Sequence, residues 1–271
     1  MSYTNYNYAD GRRNRISGPA QLLTASDIFT PTSDQKHTLG LELDLNDGTA
    51  RTFTYVKNGA TALGKGKMVQ TPAHDADSIA STIQTGNELY GATAGAVTFD
   101  VIVATGSGIT TDSLKDGWLL ISGGGTAMGD MYLVKSNKWT TSDTILNVTI
   151  ADAGGLRNAI DATDDASFIP SKYRDVIVTT ESPAGGPVGV PLVAVTANYY
   201  FWAQNKGYTP IFSDDTDTIV VGDPVMLSVD NTADSDGCVA LVDASADDYI
   251  VGNCVFAAAV SECSIIDINL P

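Results

Sequence analysis

The chain has 271 residues, with 15 basic and 32 acidic side chains and a formal charge of −17. That length buries a real core as one large domain or two smaller ones, and the charge opposes nonspecific binding to DNA or to an anionic membrane. Only 17% of residues are charged; Lys and Glu are scarce and long Leu periodicities are missing, which argues against a helical protein.

The charge is uneven. After Lys206 there is no Lys or Arg, yet twelve acidic residues occur from Asp214 to Asp267, while Arg12, Arg13 and Arg15 cluster near the start. The two ends are expected to attract each other or to meet different partners. Cys238, Cys254 and Cys263 have no Cys-x-x-Cys spacing and read as small buried thiols of a reducing compartment. Met1 to Asp10 is polar and tyrosine-rich, without the apolar run of a signal peptide, so no export is expected. The longest apolar runs are too short to cross a bilayer.

In chain order, 1–23 reads as an extended arm. It is either a frayed terminus or a tether that orders on a partner, with Tyr3, Tyr6 and Tyr8 supplying contact area and Arg12, Arg13 and Arg15 bidentate bonds to carboxylates. Leu39, Leu41, Leu43 and Leu45 alternate with smaller or polar residues and end at Asn46-Asp47-Gly48. With a second strand from Arg51 to Val56 they predict a hairpin. Asn58-Gly59 turns the chain toward Lys67–Gln70, and Ala73–Glu88 is the first place for a helix. Further strands are predicted at Val97–Ala104, Gly117–Ser122, Met131–Lys135, Thr144–Ala151 and Tyr173–Thr180, with one helical turn expected at Leu156–Ala162.

The densest apolar and aromatic run is Val188 to Gly207. Leu192–Val195 and Tyr199–Gln204 have strand composition, with Ala197-Asn198 as the turn. At period two, Tyr199, Phe201 and Ala203 face one way and Tyr200, Trp202 and Gln204 the other. Both faces carry large groups, so the strand is expected to be covered on both sides, by a second sheet or by a neighbouring subunit. Beyond it, short strands are predicted at 218–221, 225–229, 238–242, 249–251, 255–260 and 264–270, the spacing of a small barrel or sandwich. In the last, Ile266, Ile268 and Leu270 face inward and Asp267 and Asn269 outward. The expected architecture is all-β and mainly antiparallel, in sandwich or small-barrel units, with at most one or two short helices. Its parts are the arm 1–23, a β-rich domain 24–184 and a C-terminal barrel or sandwich 185–271.

No catalytic signature survives inspection. Gly59 to Gly66 nearly matches a phosphate-binding P-loop but has Gly66 where Ser or Thr should ligate magnesium, and the next segment is strand-like instead of helical. Gly123, Gly125 and Gly129 precede another strand and read as a hairpin loop. Thr232, Asp234, Asp236, Gly237 and Asp243 approach calcium-loop spacing, but the first and twelfth positions are wrong and no flanking helices are expected. His37 and His74 do not form a metal-spaced pair. Gly106-Ser107-Gly108 is not a nucleophile elbow, and His74-Asp75-Ala76-Asp77 reads equally as a surface loop. The expectation is a non-enzyme without cofactor or metal.

Tyr132–Asn137, Tyr173–Val178, Gly186–Pro191 on through Trp202-Ala203-Gln204, Gly222–Val225, Val251–Ala258 and Ile265–Ile268 together resemble the head decoration, or cement, proteins of tailed bacteriophages. The resemblance touches roughly half the chain. It implies a protein of the virion exterior, assembled in bacterial cytoplasm, that binds the major capsid protein as an oligomer, often a trimer, and stiffens the shell. No nucleic-acid or membrane partner is implied. The arm residues above and Tyr199, Tyr200, Phe201 and Trp202 are the expected interface. Competing readings are another virion component (head fibre, tail or shell subunit), a carbohydrate-binding β-sandwich stacking sugars on Trp118, Trp139 or Trp202, and an aspartate-based hydrolase.

Overall fold

The computed structural model describes residues 15–18, 28–45, 49–72, 92–102, 109–140, 145–160, 164–180, 185–214, 218–228, 236–242, 249–259 and 262–270. Its elements are strands, and their pairing is antiparallel except at β1 and two isolated bridges. Residues 1–73 and 173–271 form one compact unit, and 74–172 form a second. The division is by insertion, whereas the sequence predicts consecutive segments 24–184 and 185–271. Pairing of residues 52–57 with 200–206 ties the early chain to the late one.

The first unit contains β1 (Arg15–Gly18), β2 (Glu42–Leu45), β3 (Thr52–Lys57) and β4 (Val69–Gln70). The inserted unit has β5 (Thr98–Ile102), β6 (Trp118–Gly123), β7 (Met131–Trp139), β8 (Ile145–Ile150) and β9 (Asp165–Ile169). The first unit then resumes with β10 (Ile177–Val178), β11 (Pro187–Pro191), β12 (Tyr200–Phe212), β13 (Pro224–Leu227), β14 (Val239–Leu241), β15 (Ile250–Phe256) and β16 (Cys263–Asn269).

The long strand β12 organises the first unit, in the order β1-β2-β3-β12-β16-β15-β13-β14. Ala203 pairs with both Thr54 of β3 and Pro191 of β11, and Lys206 with both Thr52 of β3 and Asn269 of β16. A strand has one partner per edge at each residue, so β3 holds one edge while β11 and then β16 share the other. The register shifts at Asn205, where the Gln204 amide donates to the carbonyls of Lys206 and Tyr208 and Asn205 donates to Thr54. These side chains satisfy backbone and neighbours that the bulge takes out of the ladder.

Below the bulge, β12, β16, β15, β13 and β14 curl round. A parallel bridge from Ser213 to Val239 brings the last strand back to the first, and the Asp214 amide donates to the Val239 carbonyl at 3.0 Å. The small barrel so closed is filled by Ile211, Val225, Leu227, Val251, Ile266 and Ile268, each contributing about 1.5–3 kcal/mol by burial. The inward Ile266, Ile268 and Leu270 and outward Asp267 and Asn269 agree with the alternation of the sequence.

The β2–β3 hairpin forms with Leu43 opposite Phe53, and the Ala197-Asn198 turn forms with Asn198 at φ 64°. Other elements differ from expectation. The chain at 192–194 is not a strand, because pairing with β4 and β12 falls on Pro187–Pro191. Thr218–Val221 is not a strand either, and the two short strands expected at 249–251 and 255–260 are one, β15, whose Gly252 and Asn253 pair within the ladder instead of turning. No helical turn forms over 156–160. The helix expected over 73–88 lies outside the described residues.

The inserted unit is a five-stranded sheet, β5-β8-β7-β6-β9. One face carries its core: Phe99, Leu119, Ile121, Tyr132, Val148 and Phe168, among others. The buried Asn137 stitches the 109–117 loop to β7, accepting from the Leu114 amide at 2.9 Å and donating to the Thr110 carbonyl at 2.8 Å. Asp130 accepts from the Tyr132 hydroxyl and from Asn158 and pairs with Arg157, whose cation lies 5.1 Å from the Tyr132 ring centre.

Candidate functional site

The aromatic run around Trp202 is enclosed on both faces. Phe201 and Ala203 sit in a cluster with Val56, Leu63, Val69 and Val176, against which Tyr199 packs. Trp202 sits on the opposite face with Leu43, Phe53 and Tyr55, against which Tyr200 packs. Trp202 and Tyr55 have ring centres 5.1 Å apart, and His37 meets the Tyr55 ring edge-on at 5.0 Å. Burial raises the Tyr55 phenol above its ordinary value. Phe201 is 2% and Trp202 3% exposed. The expectation that these two rings form a subunit surface is therefore corrected: the chain covers them itself, and they are core side chains. Tyr199 and Tyr200 are half-buried. Tyr3, Tyr6, Tyr8, Arg12 and Arg13 lie outside the described residues, and of Arg15 only its backbone place in β1 is described.

The P-loop-like turn is accounted for by pairing. The amides of Gly59, Leu63 and Gly66 donate to the carbonyls of Val176, Val195 and Pro191, so they are not free to cradle a phosphate. Lys67 lies behind this turn, donating to Cys238 at 3.2 Å and lying 5.5 Å from the Phe212 ring centre. A groove of about 450 Å³ next to it is lined by Leu63, Lys67, Ile177, Thr180 and Asp236. The Gly123–Gly129 segment is a hairpin loop between β6 and β7. Among the described residues no group of three His, Cys, Asp or Glu is placed to hold a metal, and no helix is long and apolar enough to cross a membrane.

Among the described residues, two sheet faces carry exposed apolar groups on neighbouring strands. On the barrel wall, Pro210 of β12 lies opposite Ile265 of β16, which lies opposite Phe256 of β15. Phe256 is 55% exposed, and all three point outward. Val221 is 66% exposed, and the segment after it is held to β15 by the Gly222 amide on the Cys254 carbonyl and the Cys254 amide on the Asp223 carbonyl, both 2.8 Å. The next row is Tyr208, Asp267 and Asn253. An antiparallel sheet with one wet face normally turns polar residues outward, and the Pro210–Ile265–Phe256 row departs from that pattern.

In the inserted unit, Trp118 lies between Ile169 and Leu133, and Leu120 lies between Ser167 and Met131. Trp118 is 39% and Met131 47% exposed. Trp139, by contrast, packs on the core and donates its indole N–H to the Ile109 carbonyl at 2.8 Å.

Sequence reasoning missed Tyr208, Pro210, Ile265 and Phe256. Its available signal was the doublet Ile265-Ile266, since adjacent residues of a strand face opposite ways and only one can enter the barrel. No family model, no curated protein and no solved structure matches this chain.

Proposed function

We infer that this chain is a virion structural protein that binds the outer surface of a tailed-phage capsid and stabilises it. The observation that carries the reading is the pair of apolar sheet faces, around Trp118 and around Ile265, left open on an otherwise strongly acidic molecule. Apolar faces of this kind suit the core of an interface, and the acid around them suits its hydrated rim. The resemblance to head decoration proteins supplies the partner, the major capsid protein, and a trimer as the oligomer. Many symmetric contacts, each modest, hold such a protein on a shell by avidity.

The test is co-sedimentation with heads that lack the protein. The full chain binds, and removal of 1–23 leaves a folded protein that no longer does. Equal binding by the truncated form overturns the role of the arm, and no binding by either form overturns the reading.

The exposed Trp118 favours one second reading, a carbohydrate-binding module, because a flat exposed indole stacks on a sugar ring. Glycan-array binding that disappears in Trp118→Ala, with indifference to heads, decides for it.

A further inference from the structure

We propose that the outer barrel row Pro210–Ile265–Phe256 is the docking site for the tyrosine- and arginine-bearing segment Met1–Asn14 of a neighbouring copy of this chain. Three observations converge on that occupant.

The first is chemical fit. The row is apolar and outward-facing across three adjacent strands, the exposed Asp267 lies in the neighbouring row between Tyr208 and Asn253, and the exposed Glu262 immediately precedes β16. Lys206 is the last basic residue of the chain, and twelve Asp and Glu residues follow it. A second barrel set face to face would bring carboxylates against carboxylates, which is unfavourable. Segment 1–14 carries Tyr3, Tyr6 and Tyr8 with Arg12 and Arg13, against the single acid Asp10. Tyrosine supplies amphipathic contact area to an apolar strip, and arginine reaches carboxylates at its edge with paired N–H groups.

The second observation is direction. Arg15 of β1 aligns with Glu42, Glu42 with Thr54, and Thr54 with Ala203. Likewise Ser17 aligns through Asp44 and Thr52 with Lys206. β1 therefore runs parallel to β12, and the chain enters it from the Tyr200 end. The docking row lies the other way, at Pro210, so the N-terminal end of β1, at Arg15, is its end remote from the barrel of the same molecule.

The third is reach. Fourteen residues extend to at most about 46–50 Å, a length that sets the upper limit on how far the wall of the next molecule can lie from the edge strand β1. A contact of arm on a different surface patch of the next copy is head-to-tail, and it closes into a ring when the rotation permits.

The contact concerns copies of this chain alone and is tested without heads, so its failure is distinct from failure to bind a shell. The measurement is solution mass by light scattering or sedimentation, over a range of protein and salt concentrations. The expected result is an oligomer of the full chain that weakens with salt. It is lost in both Phe256→Asp/Ile265→Asp and Arg12→Glu/Arg13→Glu, with circular dichroism unchanged, and it is dissociated by excess synthetic peptide of residues 1–14. A full chain that is monomeric throughout overturns the proposal. So does an oligomer that survives either double substitution or ignores the peptide; the peptide arm uses unmodified protein and is independent of any folding defect in the variants.

Discussion

The two halves of β12 belong to one strand and live in different surroundings. From Phe201 to Asn205 every residue is buried, because the β4/β11 side covers one face and the β2–β3 hairpin with the 28–39 segment covers the other. From Lys206 to Ile211 exposure alternates, because there the strand is a barrel wall with an interior and an outside. The switch falls at the Asn205 bulge and at Gly207, whose φ of 85° suits glycine. The lesson is that an aromatic-rich strand is not by that token a surface. The heavier half is core, and the lighter half, with Tyr208 and Pro210, presents apolar groups to solvent.

The contrast can be broken first at Trp202. Trp202→Ala should lower unfolding stability by about 3–5 kcal/mol, read from denaturant midpoints; a loss below about 1 kcal/mol would mean the ring is not core. Gly189→Val comes next. A Cβ at Gly189 would lie 2.8 Å from the Gln204 carbonyl oxygen, so β11 would be forced off β12 at a cost of about 1–3 kcal/mol.

A smaller effect is expected in alkali. Burial raises the thiols of Cys238, Cys254 and Cys263 above the ordinary 9.0, with Lys67 partly offsetting this at Cys238. The folded state thus keeps protons that the unfolded chain loses first. This stability is fully present below that value and declines as pH rises through the folded values. The urea midpoint should be lower at about pH 10 than at about pH 8, and Cys238→Ala should flatten the difference. The smallest effect belongs to the open half: Tyr208→Ala should change stability by no more than about 0.5 kcal/mol. A large loss there would show that the exposed row is held by something within the chain.

Much of the fold was legible because its signals are local. The Leu43/Phe53 hairpin, the Asn198 turn and the Ile266/Ile268/Leu270 stripe each derive from period two and turn chemistry. β9 was missed: Asp165–Ile169 is short, and it is a strand because β6 offers it an edge. The single strand β15 reads as two because Gly252-Asn253 looks like a turn when taken alone, whereas its ladder with Ile268 and Asp267 keeps it extended. The candidate surfaces were the least legible. Phe201 and Phe256 are the same residue in strands of similar composition, and only the presence or absence of a covering layer separates them.

By itself the sequence determined an all-β chain, acidic at its C-terminal end and cationic near its start, with the alternation that fills a barrel. Those properties are written in neighbouring residues and in totals. The tertiary structure decided that residues 74–172 form an inserted unit, that β12 divides its edge between β11 and β16, and that Trp202 is covered while Ile265 is open. Each depends on which distant strand takes a given edge or face, and edge pairing is a long-range competition that no local pattern encodes.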